Sequence, residues 1–129
     1  MVAIRYIVDD VERAIGFYRD LLGFAVEMHP ALGFAALTRG GLRLYLNAPG
    51  AGGAGRAGGA PAPGGWNRFQ LEVEDLDASV DALRAGGARF RGDRVEGQGG
   101  AQVLVEDPAG NVVELFQPKI RPAEARAER

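Results

Sequence analysis

The chain has 129 residues, no cysteine, and 15 Lys+Arg against 17 Asp+Glu, a formal charge of -2. One domain's worth of chain can bury a sizeable core without covalent staples. Disulfides, thiolate metal sites and cysteine nucleophiles are excluded, and no basic excess points to nucleic acid or an anionic membrane. No apolar run approaches the roughly 20 residues of a membrane helix, and "MVAIRYIVDD" lacks the pattern of a signal peptide. A soluble, cytoplasmic domain is expected.

In chain order, "VAIRYIV" (2–8) alternates like a strand. It leads into "VDDVERAIGFYRDLLGF" (8–24), where Val11, Ala14, Ile15, Tyr18, Leu21 and Leu22 follow a 3.6-residue period. Asp9 or Asp10 is placed to cap this helix, and Gly23 to end it. Three short strands follow, "FAVEMH" (24–29), "FAALTR" (34–39) and "LRLYLN" (42–47). Residues 48–65 then hold eight Gly, three Pro, six Ala and one Arg, a composition that argues against both helix and strand and reads as a flexible connection.

The second half repeats the first. "NRFQLEV" (67–73) is a strand, and "VEDLDASVDALRAGGARF" (73–90) is a helix capped by Asp75 and stopped by Gly86–Gly87. Strands are expected at 88–93, 101–106 and 111–116. An offset of 65 lays Val8 on Val73, Asp10 on Asp75 and Tyr18 on Leu83. Near the end of each half the offset becomes 69, and Tyr45 falls opposite Glu114. Each half is βαβββ. The parts are a first module (1–47), the connection (48–65), a second module (66–118) and a charged tail (119–129) expected to fray.

Period-two alternation assigns the strand faces. Ile4, Tyr6, Leu44, Leu46, Phe69, Leu71, Val113 and Leu115 form the helix-facing set. Opposite them lie Arg5, Arg43, Tyr45, Arg68, Gln70, Glu114 and Phe116, a polar and aromatic mixture suited either to solvent or to a small-molecule pocket.

With "VDDVERAIGFYRDLLGF", its echo, and "EDPAGNVVELFQP" (106–118), the chain resembles the vicinal oxygen chelate superfamily of glyoxalases, bleomycin resistance proteins and extradiol dioxygenases. The resemblance implies an α+β fold of two tandem βαβββ modules, a U-shaped mixed sheet around a cup, and a homodimer. Metal-dependent members carry ligands on the first and fourth strands of each module. Mapped here, those positions are Ala3, Tyr45 (Arg43 under a two-residue shift), Arg68 and Glu114. Only Glu114 is of ligand type, so no cofactor is expected, with a divalent metal as the alternative. An Arg68–Glu114 pair is expected in its place.

Arg68, Glu114, Tyr45 and Trp66, with Arg43, Arg5, Gln70 and Phe116, are the candidate contacts to a small organic ligand. The expected function is sequestration or resistance without bond breaking. The alternative is a glyoxalase-like lyase, isomerase or dioxygenase with Glu114 as general base and Arg68 beside the developing oxyanion. Three further readings concern single residues. His29 is taken as a strand-end residue without a catalytic partner. Trp66 is either a ligand-stacking group or a core residue at the module junction. Arg5 and Arg43 either attract an anionic ligand or pair with Glu72 and Glu106, and the pairing is the expected reading.

Overall fold

The computed structural model describes residues 2–51 and 53–119. Two compact units emerge. Among the described residues, the first comprises those up to Asn67 together with Asp107–Asn111, and the second comprises Arg68–Glu106 and 112–119. Beyond Lys119 the expected frayed tail lies outside the described residues.

In the first unit, β1 (Ala3–Ile7) is followed by α1 (Val11–Gly16). The Asp10 carboxylate accepts from Arg13 N at 3.1 Å, which settles the choice between Asp9 and Asp10. Past Gly16 the helix widens into a π-helical turn, Phe17–Leu21, which buries Phe17 and Tyr18. The Phe17 and Phe24 rings stand nearly perpendicular to Tyr18, with ring centres 5.1 and 5.4 Å from its own. Gly23, at φ 73°, lets the chain reverse while Phe24 N bonds back to Tyr18 O at 2.9 Å.

The chain continues through β2 (Ala25–Ala31), β3 (Phe34–Arg39) and β4 (Leu42–Asn47). The sheet order is β1-β4-β3-β2, with β1 and β4 parallel and the other pairs antiparallel. α1 packs on β3 and β4. Val8, Val11, Tyr18, Leu37, Leu44 and Leu46 form the core, as the alternation requires.

The glycine-rich stretch departs from expectation. One helical turn, α2 (Gly53–Arg56), forms within it, closed by Ala57 N to Gly53 O at 3.0 Å and Gly59 N to Ala54 O at 2.9 Å. Interspersed alanines lower the entropic penalty that a pure glycine run would carry. The stretch is tied at each end, by Ala48 N to Gly33 O at 2.9 Å and by Gly64 N to Asn111 Oδ1 at 2.8 Å.

The second unit repeats the plan. β5 (Arg68–Glu72) leads to α3 (Leu76–Ala85), capped by Asp75 through Ala78 N at 3.0 Å. The strand expected at 88–93 is reduced to β6 (Arg89–Phe90), with a second short piece, β7 (Val95–Glu96). Gly92, at φ 87°, breaks the extended run between them. β8 (Gly100–Glu106) and β9 (Val112–Pro118) complete a sheet in the order β5-β9-β8-β6, with β7 also pairing to β8. α3 packs on β8 and β9 over Phe69, Leu71, Leu83, Val113 and Leu115.

The ladder registers explain the changing offset of the repeat. Ala3 pairs with Arg43 and Arg5 with Tyr45 in one sheet; Arg68 pairs with Val112 and Gln70 with Glu114 in the other. Ala3 and Arg68 are therefore equivalent, and so are Tyr45 and Glu114.

No helix among the described residues is long and apolar enough to cross a membrane.

Candidate functional site

In the second unit the parallel pairing of β5 with β9 sets Gln70 directly beside Glu114. Arg68 stands one pleat earlier on the same face. Arg68 Nε donates to Glu114 Oε1 at 2.9 Å, and Gln70 Nε2 donates to Oε2 at 2.6 Å. Glu114 is 7% exposed. Burying a carboxylate is expensive unless it is both paired and hydrogen-bonded, and here both oxygens are engaged. Alternation in the sequence placed Arg68 and Glu114 together. Gln70, marked there only as a ligand contact, is in addition the second donor to that carboxylate. The directly opposed register of the two strands is the signal that would have assigned it. Phe116 lies half-buried further along β9.

This pair gives a direct prediction. R68M and E114Q are each expected to destabilise the fold, and the double variant less than their sum. The coupling should be about 1 kcal/mol, a modest value because Arg68 remains about one-third exposed. Urea unfolding of the four proteins measures it, and strictly additive losses would contradict the pairing.

In the first unit the corresponding face carries Arg5, Arg43 and Tyr45. Arg5 is exposed; its Nη1 donates to Asn47 Oδ1 at 2.6 Å and its guanidinium lies 4.9 Å from the Tyr45 ring centroid. Phe34 meets the same ring at 5.6 Å, tilted by 40°. Arg43 Nη2 pairs with Glu27 Oε1 at 2.9 Å. Hydrogen bonding to Tyr45, and after it the Glu27 carboxylate, hold Arg43 in its charged form, against the opposing effect of burial.

The expected pairing of Arg5 and Arg43 with Glu72 and Glu106 is therefore corrected. Glu106 instead accepts from Arg91 at 2.8 Å, because β6 runs antiparallel beside β8 and brings Arg89 and Arg91 to it. Arg43 meets Glu27 because β2 carries irregular register between Val26 and Met28. Asn47, which alternation puts on the same face as Arg43 and Tyr45 but to which the sequence assigns no role, anchors Arg5 from the far end of β4.

Trp66 is 64% exposed, so the core reading for it is overturned. Gly64 and Gly65, both at positive φ, turn the chain so that the indole leaves the packed interior. His29 lies within β2 rather than at its end, half-buried, with Nε2 3.8 Å from Glu12 Oε1 and without a hydrogen-bond partner for Nε2 among the described residues.

A buried network binds the turn 107–111 into the first unit. Tyr18 Oη donates to Asp107 Oδ2 at 2.8 Å, and Asn111 Nδ2 donates to the same oxygen at 3.1 Å. Ala109 N and Asn111 N each reach Asp107 Oδ1 at 2.9 Å. Asn111 Nδ2 also reaches Ile7 O at 2.8 Å. Burial, then the charge of Asp107, pushes the Tyr18 phenol well above its usual range. Burial also raises Asp107, with the hydrogen bonds from Asn111, Tyr18 and Ala109 opposing it.

The model of the Glyoxalase/Bleomycin resistance protein/Dioxygenase superfamily matches residues 1–115. The chain belongs to this superfamily. Its two βαβββ units are the glyoxalase/bleomycin-resistance fold. No curated protein matches it. Among solved structures it is similar to an antibiotic binding protein from Streptomyces sp. CB03234, at 26% identity, covering 91% of this chain and 93% of that one, with a TM-score of 0.68. It is similar in fold to a lactoylglutathione lyase from Agrobacterium tumefaciens (22% identity, 91% and 92% covered, TM-score 0.71). A bleomycin-binding protein from Streptomyces verticillus, solved with copper(II)-bleomycin, shares the fold at 24% identity, with 92% and 95% covered and a TM-score of 0.63.

The side chains at the superfamily's metal positions do not fit a metal. Ala3 offers no donor atom, and Arg68 is a fixed cation bonded to the one carboxylate. Arginine cannot shed its proton to make room. Among the described residues no group of three or more His, Asp or Glu side chains could hold a metal ion.

Proposed function

We propose that this superfamily member binds a small organic molecule on the polar and aromatic faces of its sheets, without a metal and without breaking a bond. The observation that carries the reading is the occupation of both Glu114 oxygens, by Arg68 at 2.9 Å and by Gln70 at 2.6 Å. A carboxylate so engaged is poorly placed to ligate a cation, or to act as a general base without first giving up a charge-assisted bond. Stacking surfaces (Tyr45, Phe34, the exposed Trp66) and fixed cations are what retention of a flat polar molecule needs. The fold shared with an antibiotic binding protein and a bleomycin-binding protein supports a sequestering role.

Elemental analysis of untagged protein, with zinc, nickel and manganese titrations by calorimetry, tests the metal-free part. Less than a tenth of an equivalent of transition metal is the expected result, taken as roughly the level of adventitious binding. One equivalent per chain, lost in E114Q, would overturn it. Assays with α-ketoacid, thiohemiacetal and catechol substrates test the second part. Turnover that E114Q abolishes would replace sequestration with catalysis.

A further inference from the structure

The arginines on the two sheet faces are not alike. Arg43 has Glu27 and Arg68 has Glu114. Arg5 has no carboxylate within ion-pair distance among the described residues. It is nevertheless fixed in place: Asn47 Oδ1 accepts from its Nη1 at 2.6 Å, and the guanidinium lies over Tyr45 at 4.9 Å. Asn47 is 1% exposed, and its own amide reaches Ala51 O at 3.5 Å. A buried neutral amide orients the guanidinium without neutralising it; an aspartate in that place would have done both. The other N–H groups of Arg5 have no acceptor among the described residues, and the residue is exposed.

We propose that Arg5 is the anchor for an acidic group on the bound molecule, which makes the ligand class a planar organic anion. The inference rests on the small-molecule reading above. A guanidinium held over one ring by a neutral acceptor keeps N–H donors for a carboxylate and a planar surface on which an aromatic ligand can stack. Because Asn47 and Tyr45 already restrict the side chain, little rotamer entropy is left to lose when the anion docks. With no carboxylate paired to it among the described residues, its charge is left for a ligand, screened only by solvent and salt. Arg43 and Arg68, each beside a carboxylate, contribute no comparable net charge at their own positions.

The test uses matched probes on the whole chain: 2-naphthoate and 2-naphthamide, titrated by calorimetry at low salt and at about 0.5 M salt. The expected result is naphthoate binding about ten-fold more tightly than the amide at low salt, with the margin shrinking at high salt. In R5Q the margin should vanish, naphthoate losing more affinity than the amide; R5K should keep part of the margin. Thermal unfolding of R5Q serves as the fold control, and an exposed side chain predicts a midpoint close to wild type. Equal affinity for the two probes in wild type, or a margin that survives R5Q, overturns the role of Arg5 and leaves the small-molecule reading standing. Failure of both probes to bind overturns both.

Discussion

Replacing Asp107 by alanine is expected to cost about 3–4 kcal/mol of folding stability, the largest loss of any polar substitution considered in this chain. The Asp107 carboxylate accepts from four donors: Tyr18 Oη, Asn111 Nδ2, Asn111 N and Ala109 N. The residue is 1% exposed, so water does not replace it. Its loss takes this acceptor from a buried phenol and frees the turn that positions Asn111 against Ile7 O. Y18F removes one donor of the four and should cost about 1–2 kcal/mol. Urea unfolding at neutral pH measures both, and a loss under 1 kcal/mol for D107A would show that the network is dispensable.

The same residue has a pH signature. Burial raises Asp107 above the ordinary aspartate value. Between the unfolded and the raised folded value, the native state holds more protons than the unfolded state. Stability from this group is therefore highest below the unfolded value and falls as pH rises through that window. D107N lacks the titration, so the wild-type minus D107N stability difference should decline with rising pH across the acidic range. A flat difference would contradict the assignment.

How much of this was legible in the chain follows from what kind of interaction is involved. The βαβββ repeat, the Asp75 cap and the burial of Leu44, Leu71 and Leu115 come from short periodic patterns, which act over a few residues and leave clear marks in sequence. The Arg68–Glu114 pair was legible for a similar reason: both alternation and the repeat put the two residues on one face. Partners set by irregular register were not. Glu27 reaches Arg43 only because β2 slips between Val26 and Met28, and Glu106 turns to Arg91 because β6 ends two residues in. The turn 107–111, at the start of "EDPAGNVVELFQP", carries the family resemblance in the sequence. Its physical role, to close over Tyr18 from 89 residues away, depends on a long-range approach that no local pattern encodes. Trp66 was ambiguous because a large aromatic favours burial, and only the backbone of Gly64 and Gly65 decides that it stays outside.

The glycines make the same point in energetic form, and they carry the second large prediction. Twenty are present, most with open space where a side chain would go. Gly100 differs. A Cβ there would lie 2.2 Å from Gln117 O and 2.8 Å from Pro118 Cα, contacts made by backbone that cannot swing aside as a side chain can. G100A is expected to cost about 3 kcal/mol, at the upper end of the usual penalty for overpacking. The strain would not remain local. Gln117 Oε1 accepts from Leu76 N at 2.7 Å at the start of α3, so pushing β9 away from β8 also loosens a helix terminus. G41A, where nothing lies within 4 Å and φ is not positive, should by contrast leave the unfolding free energy within about 0.5 kcal/mol of wild type. A G100A protein as stable as G41A would mean that β8 and β9 do not approach so closely at this end, and that the helix terminus beside them is held by something other than Gln117.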